Sequence, residues 1–260
     1  MSRIVTLTTD FGNSDWYVGA MKGVLLRINP AVTIVDITHD VPPQDIIAGS
    51  FILLNFCDYY PENTIHVAIV DPGVGSDRRP IAVRLSNSQI FILPDNGLIS
   101  LLMLRYQIIE TYLISNPELM LENTSFTFHG RDIFAPVAAH LSNGASLASV
   151  GPNIYDAKIS PIIKPVLAKD EMTGEIIYID HYGNCVTNIR DELKYPVEEI
   201  SIKNHKFSYI NQTYSEVEIG SPLILFGSHQ FLEIAVNQGN AQRLLGISKH
   251  DLITVKLLLD

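Results

Sequence analysis

An aspartate and an arginine that follow the pattern of a buried strand are the residues of this chain best placed to do chemistry. Asp71 comes directly after the apolar stretch 64–70, and Arg78 lies seven residues further on, beyond the Pro/Gly turn 72–75. Glycines in that turn let the backbone adopt left-handed conformations, so Arg78 can fold back towards Asp71. A hydrogen-bond acceptor beside a fixed positive charge can hold and activate a water molecule. An ion pair that only braces the turn is an equally weighted alternative.

A histidine adds a third kind of polar side chain. His129 lies just before a helix-like segment, 132–141, and Gly130 permits close approach of the backbone. A lone histidine is more often structural than catalytic, but three polar chemistries at the ends of core elements favour a site. Metal binding is a weak alternative, because the histidines show no HxH or HExxH spacing and no carboxylate-rich ligand set accompanies them. We therefore predict no metal.

Asp10 follows the first predicted strand, 4–8. In open α/β sheets, ligands bind beyond the carboxyl ends of strands. A carboxylate there can accept hydrogen bonds from both hydroxyl groups of a ribose. The alternative is an aspartate that serves the turn or caps the helix predicted from Trp16 onwards. The chain has no GxGxxG motif and no P-loop lysine, so nothing indicates a dinucleotide or triphosphate.

Two further polar groups lie in the last third of the chain, and both have ordinary structural alternatives. Asp180, Tyr182 and Asn184 combine a carboxylate, an aromatic face and an amide within five residues. Together they can hold an ammonium group, a flat base and its polar edge, although the same residue types favour a β-turn. Ser228 and the neighbouring amides can bind a carboxylate, or they form only a hairpin turn before the strand that contains Glu233.

The elements that position these residues change character along the chain. Up to residue 165, strand patterns alternate with helix patterns, which predicts an α/β domain (residues 1–165) with a mainly parallel sheet. The predicted strands are 4–8, 33–37, 64–70, 81–85 and 89–93, and the predicted helices are 16–28, 45–57, 98–104 and 132–141.

Residues 166–260 show short strand patterns separated by turn residues, which predicts a smaller all-β, barrel-like domain. The predicted strands are 175–179, 200–202, 223–226, 231–236 and 252–258, and only 241–245 has a helix pattern.

Composition excludes several partners. The 260 residues are 47% hydrophobic and carry a formal net charge of −10 without a Lys/Arg cluster, which argues against nucleic acid. No apolar run approaches the roughly 18 residues that span a membrane. The first residues lack the pattern of a signal peptide, and Cys57 and Cys185 have no metal-ligand spacing. We expect a cytoplasmic protein with two free, buried thiols.

Taken together, the motifs resemble the S-adenosylmethionine (SAM) hydroxide adenosyltransferase family, which comprises SAM hydrolases related to fluorinase and chlorinase. The resemblance covers nearly the whole chain in the same order of motifs. Its markers are Thr-Asp-Phe-Gly at 9–12, 17–23, Thr-His-Asp-Val-Pro-Pro at 38–43, 70–75, Pro-Asp-Asn-Gly at 94–97, Phe-His-Gly-Arg-Asp at 128–132, 183–188 and 233–241.

The resemblance implies an enzyme that hydrolyses SAM at ribose C5′ to adenosine and L-methionine, without a cofactor. It also implies a homotrimer whose active sites lie between the N-terminal domain of one subunit and the C-terminal domain of the next. The family's Asp-Arg-His set falls on Asp71, Arg78 and His129, and its ribose-binding aspartate falls on Asp10. On this basis Asp71 and His129 orient and deprotonate water, and Arg78 favours the developing hydroxide.

The resemblance further implies the residues that hold the rest of the substrate. Methionine and adenine are expected at Asp180, Asn184 and Ser228, with Tyr182 stacking on the base. The other pocket residues are Asp15 and Trp16 from the N-terminal domain and Glu233 and the backbone around Val236 from the C-terminal domain.

Three alternatives stay open. A SAM-dependent halogenase would use a halide as nucleophile, but halogenases lack the Asp-Arg-His set. A non-catalytic SAM- or adenosine-binding module would keep Asp10, Asn184 and Ser228 and would not need that set. A metal-dependent hydrolase would lose activity with a chelator.

Overall fold

The computed structural model describes residues 4–160, 164–193 and 195–258. The chain divides into two compact units, Met1–Ile162 and Ile163–Asp260. Residues 161–163, next to the boundary predicted at residue 165, lie outside the described residues, and that boundary stays a prediction.

The first unit contains a six-stranded sheet with the order β2-β1-β3-β5-β4-β6. β1 pairs in parallel with β2 and β3, β3 pairs in parallel with β5, and β4 is antiparallel to both β5 and β6. The strands are β1 (Ile4–Thr9), β2 (Thr33–Thr38), β3 (Ile65–Ile69), β4 (Pro80–Leu85), β5 (Ile90–Pro94) and β6 (Ile108–Leu113).

The mainly parallel sheet is therefore confirmed, with two features that the strand pattern did not predict. β4 and β5 are joined by a short hairpin in which Ser88 has a φ of 65°, and such a connection forces antiparallel pairing. β6 was absent from the predicted strands, because Glu110 interrupts its apolar pattern and only Thr111 of its residues is buried.

Within the described residues of this unit, three α-helices accompany the sheet: α1 (Tyr17–Ile28), α2 (Ile46–Phe56) and α3 (Ala135–Ser142). Met21 and Leu25 of α1 are fully buried and belong to the same apolar core as α3 and the parallel strands. The segment predicted as a helix over 132–141 begins with a π-helical turn, Gly130–Phe134, before α3. The predicted helix 98–104 is a 3-10 helix at Ser100–Leu104.

The register of β1 and β3 decides where the site forms. Thr9 pairs with Ile69, so these parallel strands end side by side. Asp10 and Asp71 lie in the segments that follow these two strands. They are therefore at the same edge of the sheet, at the carboxyl ends of β1 and β3. This is the edge at which α/β sheets bind ligands.

The second unit is a nearly closed, barrel-like antiparallel sheet, as predicted for residues 166–260. Its order is β11-β10-β14-β8-β9-β13-β12, with β7 paired to β8. The strands are β7 (Val166–Ala168), β8 (Glu171–Ile179), β9 (Cys185–Arg190), β10 (Val197–Ile202), β11 (His205–Phe207), β12 (Pro222–Phe226), β13 (Phe231–Val236) and β14 (Leu252–Leu257), and the helix is α4 (Ala241–Leu245). Three strands were not predicted: β7, β9 and β11.

Candidate active site

Arg78 folds back onto Asp71 through a forked ion pair. Its Nε donates to Asp71 Oδ1 at 2.9 Å and to Oδ2 at 2.8 Å, and its Nη2 donates to Oδ2 as well. Only 8% of the Arg78 side chain and 5% of the Asp71 side chain are exposed. The pair is therefore buried, and the predicted approach of Arg78 to Asp71 is present in the structure.

His129 joins the pair from a distant part of the chain. Arg78 Nη2 lies 2.8 Å from His129 Nδ1. Because arginine has donors only, Nδ1 must accept this hydrogen bond, and the imidazole carries its proton on Nε2. Burial and the charge of Arg78 lower the pKa of His129, although the carboxylates of Asp71 and Asp132 oppose the shift. His129 is therefore a neutral imidazole with one N–H group to donate.

One donor of this network is left without a partner. Arg78 Nη1 is buried and makes no hydrogen bond to any residue that the structure describes. The guanidinium lies 5.3 Å from the centroid of the Phe134 ring, in the π-helical turn after His129. A buried N–H group without a protein acceptor costs free energy unless a water molecule or ligand accepts from it.

Two residues outside the predicted set fix the backbone beside this network. Asn96 Nδ2 donates to the carbonyl oxygen of Val70, directly before Asp71, at 2.8 Å. Asp132 is fully buried and accepts hydrogen bonds from the backbone N and the Oγ of Ser125, both at 2.8 Å. Asp132 thus ties the loop before His129 to the turn after it. The sequence signal for both was their place in the Pro-Asp-Asn-Gly and Phe-His-Gly-Arg-Asp motifs.

Asp10 lies at the same edge of the sheet and does not cap α1. Its Oδ2 accepts from the backbone N of Gln44 at 2.8 Å, and its own N donates to the Ile69 carbonyl at 3.3 Å. The N-cap residue of α1 is Trp16, which makes no side-chain capping bond. The capping alternative for Asp10 is therefore wrong.

Aromatic rings line the chain between Asp10 and α1. Trp16 is 60% exposed, and its ring centroid lies 5.6 Å from that of Phe128, the residue before His129. Phe11 and Tyr17 belong to the same cluster. Asp15 is exposed beside it. The cluster gives the site an open aromatic wall on the side of Trp16.

In the second unit, the predicted residues of the turn after β8 bind mainly to one another. Asp180 Oδ1 accepts from the backbone N of Tyr182 at 2.9 Å and of Asn184 at 2.8 Å. Asp180 Oδ2 accepts from Asn184 Nδ2 at 3.0 Å. The geometry is that of the turn alternative, while the Tyr182 ring stands 72% exposed.

The predicted residues around β13 include a buried carboxylate. Glu233 accepts from Tyr214 Oη at 2.8 Å, and His229 Nε2 lies 3.0 Å from its other oxygen. The backbone N of Phe231 donates to His229 Nδ1 at 3.1 Å, so the imidazole proton is on Nε2, facing Glu233. Ser228 is exposed in the turn between β12 and β13, and Val236 is the buried last residue of β13.

Within residues 4–160, 164–193 and 195–258, no three His, Cys, Asp or Glu side chains form a group that could hold a metal ion. Cys57 and Cys185 are free and buried, as predicted, and burial raises the pKa of each thiol to about 12. Among the helices of the described residues, none has both the length and the apolar character needed to cross a membrane.

Comparison with known proteins gives the class of protein. Family models match both units: the SAM hydroxide adenosyltransferase N-terminal domain over residues 5–151 and its C-terminal domain over residues 174–254. The chain belongs to the SAM hydroxide adenosyltransferase family, which confirms the resemblance.

Individual relatives are similar along nearly their whole length. An (R)-S-adenosyl-L-methionine hydrolase of Salinispora arenicola is 34% identical over 256 residues, covering 96% of this chain and 97% of the relative. A fluorinase of Actinoplanes sp. is 28% identical, covering 90% of this chain and 91% of the relative. A crystal structure of an uncharacterized conserved protein from Thermotoga maritima has a TM-score of 0.90 and 37% identity, covering 97% of this chain and 99% of that one.

Proposed function

We propose that this protein hydrolyses SAM: water attacks ribose C5′, the C5′–S bond breaks, and adenosine and L-methionine form. The observation that carries the proposal is the buried network of Asp71, Arg78 and His129, in which Arg78 Nη1 finds no acceptor among the described residues. Relatives at 34% identity over nearly the whole chain are named (R)-S-adenosyl-L-methionine hydrolases, which supports the same reaction.

The leaving group needs no help from the protein. The sulfonium of SAM takes the electron pair of the C5′–S bond and departs as the neutral thioether of methionine. A general acid is therefore unnecessary, and the task of the enzyme is to activate a water molecule and to align it with C5′ and sulfur.

The hydrogen-bond pattern favours a division of labour within the network. The Nε2–H of His129 and the orphan Nη1 of Arg78 are donors, so each can orient water through its oxygen. Asp71 is the acceptor: its oxygens have lone-pair sites beyond those that Arg78 occupies. We infer that the water proton passes to Asp71 while oxygen bonds to C5′, and that Arg78 stabilises the developing hydroxide.

The substrate contacts are also proposals. Asp10 binds the ribose hydroxyls with the aromatic wall of Trp16 beside it, and Asp15 lies next to that wall. In the second unit, Tyr182 offers an exposed ring to the base and Ser228 an exposed hydroxyl to the methionine carboxylate. Further contacts are expected at Asp180, Asn184, Glu233 and Val236.

We extend the proposal to the assembly and its surroundings. The active enzyme is a homotrimer with sites between subunits, it acts in the cytoplasm, and it needs no cofactor and no nucleic acid. The two free thiols support a reducing compartment. The fluorinase relatives make a halide nucleophile the second candidate reaction.

The test is a product assay with the purified full-length protein and SAM, with adenosine and methionine quantified by chromatography. We expect equal amounts of both products, no loss with a chelator, and no halogenated nucleoside when chloride is added. Chloride incorporation would favour the halogenase, loss of activity with chelator would favour a metal hydrolase, and SAM binding without turnover would favour a binding module. Each of these results would overturn the proposal.

A further inference from the structure

Four residues that the proposed reaction does not use form a polar chain behind the loop that carries Asp10. Thr9, the last residue of β1, is buried, and its Oγ1 lies 2.9 Å from His39 Nδ1. His39 Nε2 lies 3.0 Å from Asp36 Oδ1 on β2, within ion-pair distance but without the geometry of a hydrogen bond. The other carboxylate oxygen of Asp36 accepts from Lys22 Nζ of α1 at 2.5 Å.

The direction of these contacts follows from the carboxylate of Asp36. A carboxylate only accepts, so an imidazole proton of His39 is on Nε2, which faces Asp36, and Nδ1 accepts from the hydroxyl of Thr9. The backbone N–H of Phe11 also donates to Thr9 Oγ1 at 3.3 Å. Partial burial alone would raise the pKa of Asp36, but the hydrogen bond from Lys22 and the close contact with His39 hold that pKa below its usual value. Asp36 is thus the carboxylate that ends the chain.

The same segment holds both sides of Asp10 through the backbone. The N–H of Gly12 donates to the His39 carbonyl at 2.7 Å, and the N–H of Val41 donates to the Thr9 carbonyl at 3.3 Å. Gly12 has a φ of +69°, which allows the sharp turn just beyond Asp10. Asp10 is therefore bracketed by two residues, Thr9 and Gly12, that His39 contacts.

Core packing alone does not explain this arrangement. Only 3% of His39 is exposed, and its buried Nε2 makes no hydrogen bond to any residue that the structure describes, which costs free energy. An apolar side chain would fill the same space without that cost, whereas the polar chain adds a fixed orientation. We propose that His39 and Asp36 are positioning residues that act through Thr9 to hold Asp10 in the geometry that binds ribose. This inference rests on the proposed function and deepens it.

Thr9 offers a matched pair of variants. Thr9→Val removes the hydroxyl at nearly constant volume, and Thr9→Ser keeps it. The readout is the binding of adenosine and of 2′,3′-dideoxyadenosine by calorimetry, which needs no turnover. Two ribose hydroxyls bonded to a carboxylate should make the wild type favour adenosine by roughly 10- to 100-fold.

We expect Thr9→Val to bind adenosine at most about threefold more tightly than 2′,3′-dideoxyadenosine. Thr9→Ser should retain most of the wild-type preference for adenosine. Asp36→Asn, at the outer end of the chain, should move the preference in the same direction by a smaller factor. Melting temperatures of all variants show whether each one is folded. If Thr9→Val is unfolded, the adenosine preference of Asp36→Asn tests the positioning role instead.

The outcomes separate the two proposals. A wild type without a preference for adenosine overturns the ribose assignment of Asp10, and the positioning role with it. A wild type with the preference and folded Thr9→Val and Asp36→Asn variants that keep it in full overturns the positioning role alone.

Discussion

The edge of the first sheet and the turns of the second unit both gather polar side chains, but they do so in different ways. The network of Asp71, Arg78 and His129 joins residues 7 and 51 positions apart and buries an ion pair. The turn of Asp180 and Asn184 joins residues four positions apart, and its polar groups satisfy one another.

This difference separates a site from a folding device. A turn whose side chains bond to its own backbone is explained by the turn itself. A buried ion pair is weak evidence for stability, because removing two charges from water offsets much of their attraction. A buried pair drawn from separate elements, with a spare donor, is better explained by chemistry than by folding.

Asp71→Asn should have the largest effect on catalysis. Loss of the proton acceptor should lower kcat by about 10²–10⁴-fold, while the Kd for SAM changes little. Asp156→Asn is the control, because Asp156 is an exposed partner of the neighbouring Arg79 and should not affect turnover. Steady-state kinetics and calorimetry check this prediction, and equal turnover by both variants would contradict it.

Arg78→Met tests how much the free energy of unfolding depends on the buried pair of Asp71 and Arg78. It leaves the Asp71 carboxylate buried without its partner, so the free energy of unfolding should fall by roughly 3–5 kcal/mol. Arg84→Met removes the partly exposed pair with Glu110, whose side chains are 27% and 30% exposed, and should cost only about 0–1 kcal/mol. Urea unfolding of the two variants decides, and a similar loss in both would make the Asp71 pair an ordinary ion pair.

The pH dependence of catalysis sharpens the role of His129. Its pKa lies below the ordinary value of 6.5 because burial and Arg78 disfavour the imidazolium. His129 is therefore mainly neutral at pH 6.5, and most of its protonation occurs as the pH falls further. We expect the acidic limb of the kcat/KM profile, as far as His129 sets it, to lie below pH 6.5, and this contribution to be absent in His129→Gln. An acidic limb above pH 6.5 that disappears in His129→Gln would contradict this, because it would mean that the pKa of His129 is raised.

Asp180→Asn should give the smallest effect. It disrupts the contact with Asn184 and should lower the free energy of unfolding by about 1 kcal/mol. If this turn binds substrate without taking part in the chemistry, KM rises and kcat stays constant. Thermal unfolding and steady-state kinetics measure both, and a fall in kcat as large as that of Asp71→Asn would remove the distinction between the two regions.

The sequence predicted the parts of this picture that depend on local pattern. The Pro/Gly turn after β3 indicated that Arg78 returns to Asp71, and the change from alternating to short strands indicated two units. β9 was not predicted, because Thr187 and Asn188 interrupt its apolar pattern. In the structure, every residue from Cys185 to Asn188 is nevertheless buried. The contacts of Asn96 and His39 were not predicted, because their partners lie 26 and 30 residues away in the sequence.

Hydrolysis of SAM in ¹⁸O-labelled water, followed by mass spectrometry of both products, shows whether water attacks C5′. If water held by Asp71, Arg78 and His129 attacks C5′, each adenosine carries one ¹⁸O atom at its 5′-hydroxyl, methionine carries none, and Asp71→Asn forms the same product far more slowly. Label in methionine, or unlabelled adenosine, would contradict attack by water at C5′, and a variant as fast as the wild type would remove Asp71 from the chemistry.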